Sequence, residues 1–304
     1  MKPYNSFHDY CIHTFHEKVY RLSLDGGMTC PNRDGTLSSK GCFFCSAGGS
    51  GEFAAARQDS ILQQLETAKM RIRSKTDCRK FIAYFQSYTN TYAPIDYLEN
   101  IFSEAIRQDE VVALSIGTRS DCLSDEVLAL LLRLNKIKPV WVELGLQTIH
   151  NTTHQKLNTF TTVEMFDKAV ASLTKAGIPV IAHLILGLPG EDKEMMLQSV
   201  RHVAHSPVWG VKLQLLHVLK DTPLQTWFET NPFPILEMEE YCDLVIDCVE
   251  ELRPDQIIHR LTGDGPRNLL IAPLWSTDKK RVLNTINARF RERNAYQGRL
   301  YSPE

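Results

Sequence analysis

Three cysteines carry the most specific chemistry in this sequence. Cys30, Cys42 and Cys45 fall in the segment Cys30-Pro-Asn-Arg-Asp-Gly-Thr-Leu-Ser-Ser-Lys-Gly-Cys42-Phe-Phe-Cys45. A C-x2-C pair presents two thiolates to one metal centre, and Cys30 can add a third. Glycines at 26, 27, 35, 41, 48, 49 and 51 let such a loop fold around an object and offer backbone N–H groups to sulfide. Three thiolates on a four-iron cube leave one iron without a protein ligand. S-adenosylmethionine (SAM) can fill it through its amino and carboxylate groups. An electron from a low-potential cluster then splits the sulfonium and releases a 5′-deoxyadenosyl radical. Spacing alone leaves two alternatives open: a zinc site completed by a residue such as His16, and a buried trio with no ligand. Structural zinc usually pairs C-x2-C with a second close pair, and none is present.

Other polar residues follow apolar runs, where a barrel does its chemistry. Gln86, Ser87 and Asn90 come after one such run and could hold the methionine end of SAM, or serve only as turn residues. Glu143 and Gln147 flank the end of another. A carboxylate there could accept bonds from the SAM ribose or amino group, or form an ion pair inside the barrel. Gly187-Leu-Pro-Gly190 reads as a strand-end turn that lets the backbone approach the adenine. His183 and His217 lie on strands, either as core histidines or as ligands. Arg119, Arg260 and Arg267 suit bidentate pairing with a carboxylate or phosphate, with a surface ion pair as the alternative.

The elements that must position these groups alternate. Strands are expected at Val19–Leu24, Phe81–Phe85, Val111–Ile116, Val140–Leu144, Val180–Leu186 and Val211–Leu216, rich in β-branched and aromatic residues. Between them lie helices with start signals: Asp59-Ser60 before Ile61–Arg73, Pro94 opening a helix through Ile106, Ser124 capping Asp125–Leu134, a Thr161/Glu164 capping box, and Asp192. This order implies a parallel sheet with right-handed crossovers. The expected class is α/β, a partial (β/α)6 TIM-like barrel with an α+β C-terminal extension; an open doubly wound sheet fits nearly as well. We expect a barrel domain at residues 1–225 and an extension at 226–304. The extension holds a helix at Glu237–Glu251, a strand at Gln256–Leu261, the turn Gly263-Asp264-Gly265-Pro266, an apolar stretch Leu269–Trp275 and a final helix from Thr277.

The chain has 304 residues and a net charge of −2, so no global charge draws it to nucleic acid. From Arg267 onward, however, eight Lys/Arg stand against Asp278, Glu292 and Glu304, an excess that could meet RNA phosphates or simply form a solvated face. No signal peptide and no apolar run of ~20 residues is visible, so no membrane partner and a cytoplasmic location are expected. The eight cysteines then need an explanation other than disulfides.

The runs Leu24-Asp-Gly-Gly-Met-Thr-Cys-Pro-Asn-Arg-Asp-Gly35 and Gly41-Cys-Phe-Phe-Cys-Ser-Ala-Gly-Gly-Ser-Gly-Glu-Phe53 resemble the YtqA/YhcC-type radical SAM proteins, relatives of the Elongator catalytic subunit. Tyr84-Phe-Gln-Ser-Tyr-Thr-Asn-Thr91, Gly117-Thr-Arg-Ser-Asp-Cys-Leu123, Trp141-Val-Glu-Leu-Gly-Leu-Gln-Thr148, His183-Leu-Ile-Leu-Gly-Leu-Pro-Gly190, Leu215-Leu-His-Val-Leu-Lys-Asp-Thr-Pro223 and His259-Arg-Leu-Thr-Gly-Asp-Gly-Pro266 extend the resemblance over nearly the whole chain. Met28 departs from the Phe of many relatives. The resemblance is greatest to the YtqA (MnmL) branch. It implies a [4Fe–4S] cluster on Cys30, Cys42 and Cys45, SAM, and Phe44 near the adenine. It also implies conversion of 5-carboxymethylaminomethyl-(2-thio)uridine to 5-aminomethyl-(2-thio)uridine at the tRNA wobble position. Implied partners are the tRNA anticodon loop, a low-potential donor such as flavodoxin or ferredoxin, and a downstream tRNA methyltransferase. The competing expectations are a radical SAM enzyme acting on a small metabolite or protein, and a zinc-stabilised RNA-binding protein without catalysis.

Overall fold

The computed structural model describes residues 3–49, 51, 54, 59–263 and 265–303. Ser50, Glu52 and Phe53 of the glycine-rich run, Asp264 of the late glycine turn and Glu304 lie outside the described residues. The chain opens with α1 (Phe7–Phe15), whose first turn is capped by the Ser6 hydroxyl accepting from the Asp9 amide. There follow β1 (Val19–Leu24), α2 (Ile61–Arg73), β2 (Lys80–Phe85), α3 (Ile95–Ile106), β3 (Val111–Thr118), α4 (Asp125–Asn135) and β4 (Val140–Gln147). The alternation continues through α5 (Asn151–Lys156), α6 (Val163–Lys175), β5 (Val180–Leu186), α7 (Lys193–His205) and β6 (Gly210–Leu215). The last part holds β7 (Val218–Leu219), α8 (Pro223–Thr230), α9 (Met238–Glu251), β8 (Ile257–Arg260), β9 (Leu270–Ala272) and α10 (Lys279–Glu292).

Seven strands form one parallel sheet in the order β1-β2-β3-β4-β5-β6-β8, curled into a partial barrel, while β7 and β9 pair antiparallel. Its helices turn apolar stripes onto the strands. In α6 these are Phe166, Ala169, Val170 and Leu173, spaced at i, i+3, i+4 and i+7. The expected six strands are all present. The strand expected at Gln256–Leu261 is β8, and it hydrogen-bonds to β6 as the seventh strand of the same sheet. Two helix starts differ from expectation. The cap of α6 is Thr162, whose hydroxyl accepts from the Met165 amide at 3.3 Å, because Thr161 is buried against Thr159. The last helix begins at Lys279 with Asp278 as its cap, and Thr277 closes a preceding 3-10 turn.

Helix α1 had no counterpart among the expected elements, and it closes one end of the barrel. Phe7, Tyr10, Cys11 and Phe15 pack on Ile82, Ala113, Trp141 and Ile181, which lie near the N-terminal ends of β2 to β5. Just ahead of α1, the Ile258 amide donates to the Asn5 carbonyl, and Arg21 on β1 reaches His259 on β8 at 2.7 Å. The open seam between the edge strands is thus bridged. Chemistry is left to the opposite end, where the strand C-termini and their loops converge.

Candidate functional site

At that end the barrel encloses a cavity of ≈ 400 Å³. One wall is the cysteine loop. Cys30, Cys42 and Cys45 all line the cavity, together with Phe44. The loop is held by local bonds: the Cys45 amide donates to the Cys42 carbonyl, and the Arg33 and Asp34 amides to the Cys30 carbonyl. Arg33 also donates to the Cys45 and Ser46 carbonyls. The turn after β2 clamps the loop from the side. Tyr88 donates its amide to the Gly49 carbonyl (2.9 Å) and Thr89 to Thr29 (3.2 Å). Gly49 sits at φ +60°, and a Cβ there would run into the Tyr88 ring, so this turn needs a glycine.

The floor is a layer of charge assembled from alternate residues of the strands. Glu143 on β4 is fully enclosed. Its Oε1 accepts from Ser115 Oγ at 2.8 Å, and its Oε2 from His183 Nε2 at 2.7 Å and from Lys212 Nζ. Lys212 Nζ also reaches Tyr84 Oη at 3.3 Å. Burial opposes the charge on Glu143, but Lys212 and His183 overcome it and hold the carboxyl well below its usual range. Burial, then the neighbouring Lys212, pushes His183 down to about 4, so its ring is neutral at pH 7 and donates to Glu143. Burial likewise lowers Lys212, against the pull of Glu143. The described lining holds four basic residues, Arg33, Arg119, Lys212 and Arg260, and one carboxylate, Glu143; Lys212 pairs with Glu143 and Arg119 with Asp121 outside the lining. Such a cavity suits an anionic ligand.

Of the residues picked from sequence, Gln86, Arg119, Glu143, Gln147, His183, His217 and Arg260 line the cavity with the cysteines and Phe44. Four do not. Ser87 is buried against the glycine loop, where a Cβ at Gly51 would overlap its hydroxyl. Asn90 is buried and donates to the Phe85 and Gly117 carbonyls, tying β2 to β3. Gly187 turns the chain at φ +86° and donates to Met196 Sδ. Arg267 is exposed and donates to the Thr277 carbonyl. Arg119, though in the wall, is already paired bidentately with Asp121 at 2.8 and 2.9 Å and donates to the Thr159 carbonyl. Its charge lies close enough to Cys42 to lower that thiol's pKa. Tyr84, Lys212 and Gln214 were missed. Their signal was present as polar residues at alternate positions of otherwise apolar strands.

The donor set fits an iron–sulfur cluster. Burial, then the neighbouring Cys45, raises the bare Cys42 thiol to about 12, so its thiolate needs a cation to form there. No three His, Cys, Asp or Glu side chains among the described residues are grouped around a single ion. A cube takes each thiolate on a different iron and needs no such grouping.

The Radical SAM superfamily model matches residues 32–203, and the Radical_SAM C-terminal domain matches residues 208–292. Protein YtqA of Bacillus subtilis (strain 168) is 43% identical over 300 residues, covering 99% of this chain and 93% of YtqA. The chain belongs to the radical SAM superfamily. It is a radical SAM enzyme of the YtqA/YhcC type, and its family works with a [4Fe–4S] cluster and SAM. A tRNA uridine(34) acetyltransferase of Methanocaldococcus jannaschii is 28% identical over 164 residues, 53% of this chain and 30% of that protein. Among solved structures, Elp3 of Methanocaldococcus infernus with an N-terminal deletion superposes with TM-score 0.71 at 18% identity. That match covers 92% of this chain and 64% of that truncated chain, and shows the shared fold. No helix among the described residues is long and apolar enough to cross a membrane.

Proposed function

We propose that this radical SAM enzyme modifies tRNA, converting 5-carboxymethylaminomethyl-(2-thio)uridine to 5-aminomethyl-(2-thio)uridine at the wobble position. Near full-length similarity to YtqA supports the branch, and partial similarity to a tRNA uridine(34) acetyltransferase supports the substrate class. The observation that carries the reading is the cavity itself, whose lining brings Arg260 together with the cysteine loop. A uridine side chain ending in a carboxylate is an anion of the sign that a guanidinium pairs with.

In this reading Cys30, Cys42 and Cys45 hold the cluster, and Phe44, Gln86, Gln147 and His217 surround SAM. Bound there, the cluster and SAM together supply a 5′-deoxyadenosyl radical. The protein's own groups do the rest. Arg260, on β8 and lining the cavity, receives the substrate carboxylate. Arg119 is left to the cysteine wall, because Asp121 holds its guanidinium. Glu143, Lys212 and His183 form a fixed polar floor that excludes water beneath the substrate. A single-stranded anticodon loop can splay its wobble base into this mouth at a cost of a few kcal/mol.

The test incubates reduced, cluster-loaded enzyme and SAM with tRNA bearing the carboxymethylaminomethyl nucleoside, followed by nucleoside mass spectrometry. Conversion to the aminomethyl nucleoside is expected. Persistence of the substrate while SAM is cleaved removes this assignment. A second reading, a small metabolite or protein as substrate, draws on α10, where Arg289 and Arg293 are paired with carboxylates of α9. Failure of tRNA to shift in a gel would favour it.

A further inference from the structure

Asn32 lies two residues after Cys30 and is fully enclosed, at 0% exposure. Its Nδ2 donates to the Asn158 carbonyl at 2.6 Å and to Cys42 Sγ at 3.3 Å, while its Oδ1 has no partner among the described residues. The amide cannot drift, because the loop around Cys42 is fastened to the segment after α5. The Gly41 amide donates to the Asn32 carbonyl (2.7 Å), and the Phe43 amide to the Leu157 carbonyl (3.0 Å). Asn158, at φ +55°, donates its own Nδ2 to the Gly41 carbonyl at 2.8 Å. Both neighbours of Cys42 are therefore pinned, and the N–H is aimed at its sulfur.

We propose that Asn32 is a positioning residue that sets the reduction potential of the iron–sulfur cluster through its N–H···S contact with Cys42. This rests on the assignment of Cys42 as a cluster ligand. An iron-bound thiolate already carries negative charge, and one electron from a low-potential donor adds another to the assembly. A donor aimed at the sulfur stabilises the more negative state more strongly, which makes reduction easier. Enclosure of Asn32 strengthens the effect, since no water competes for its N–H. The orphaned Oδ1 is a desolvation cost that the contact with a charged sulfur offsets.

The test uses the full-length, anaerobically reconstituted protein, with iron content measured beside the midpoint potential from an EPR-monitored redox titration. Asn32→Ala is expected to keep the wild-type iron content and to titrate at a more negative potential. Asn32→Asp, which replaces the donor by a second carboxylate oxygen, should move it further in the same direction. Asn158→Gly keeps the carbonyl acceptor and deletes the bond to Gly41, so it loosens the aim without removing the donor and should shift the midpoint less than Asn32→Ala. An unchanged midpoint in Asn32→Ala overturns the proposal. So does iron loss in that variant with the remaining clusters titrating as wild type, because loop folding alone gives that result. An equal shift in Asn158→Gly also overturns it, since the potential would then follow loop geometry. Cys42→Ala tests the underlying assignment separately: full iron content there removes Cys42 as a ligand, whatever the Asn32 variants do.

Discussion

Cys42 is a thiol whose surroundings resist a bare charge, since burial and then Cys45 raise it to about 12. In metal-free protein it is therefore a thiol at pH 7, and ligation must release its proton. We expect iodoacetamide to alkylate Cys42 far more slowly than a free cysteine in the metal-free protein, as peptide mapping would reveal. Replacing Cys30, Cys42 or Cys45 by Ala should abolish the cluster and SAM cleavage. Cys78→Ala and Cys248→Ala, which alter buried thiols away from the cavity lining, should retain full iron. His183 yields a stability prediction. Its folded-state pKa of about 4 lies below the ordinary value of 6.5, so the unfolded chain binds more protons between those limits. Stability contributed by the neutral ring is present above about pH 6.5 and is lost as pH falls toward 4. From pH 7 to pH 5 the loss should be about 2 kcal/mol. Urea melts at the two pH values would measure it, and His183→Gln should flatten the difference.

Among the elements, α1 and α10 change the most once their packing is known. Helix α1 seals the barrel through an aromatic cluster in which Phe7 meets Trp141 edge-on at 5.7 Å and Tyr10 meets Trp209 at 4.9 Å. Trp141 is 1% exposed, so Trp141→Ala should cost about 3–5 kcal/mol in denaturant unfolding. The basic face of α10 divides in two. Arg293 binds Asp247 and the fully enclosed Glu250, and Arg289 binds Glu239, so these two fasten α10 to α9. Arg293→Glu would set a third carboxylate beside Asp247 and the buried Glu250, which among the described residues keep only Lys193 and Arg299 as ion-pair partners, and we expect about 2–3 kcal/mol of destabilisation, after allowing for the partial exposure of Arg293. A lowered melting temperature without a specific change in RNA affinity would be its signature. Lys280, Arg281 and Arg291 are exposed on the same helix. Their reversal to Glu should weaken tRNA binding and flatten its salt dependence while leaving the melting temperature near wild type.

Over the whole molecule, charge is segregated rather than abundant. A chain of net charge −2 places four cations and one carboxylate among the described lining of its cavity. The sequence by itself determined the family, because the C-x2-C pair, its upstream cysteine and the glycines are local features that any fold must carry along. It determined six of the seven barrel strands in order, since buried parallel strands are runs of β-branched and aromatic residues bounded by capped helices. It did not determine α1, whose worth lies in plugging a hole that exists only after the sheet curls. Nor could it show which of Arg119, Arg260 and Arg267 reach the cavity and which are already engaged. Arg119 is taken by Asp121 two residues away, while Arg267 lies outside the cavity lining. The floor belongs wholly to the tertiary structure. Ser115, Glu143, His183 and Lys212 come from four strands and face one another only because parallel pairing and strand stagger bring alternate residues into one layer.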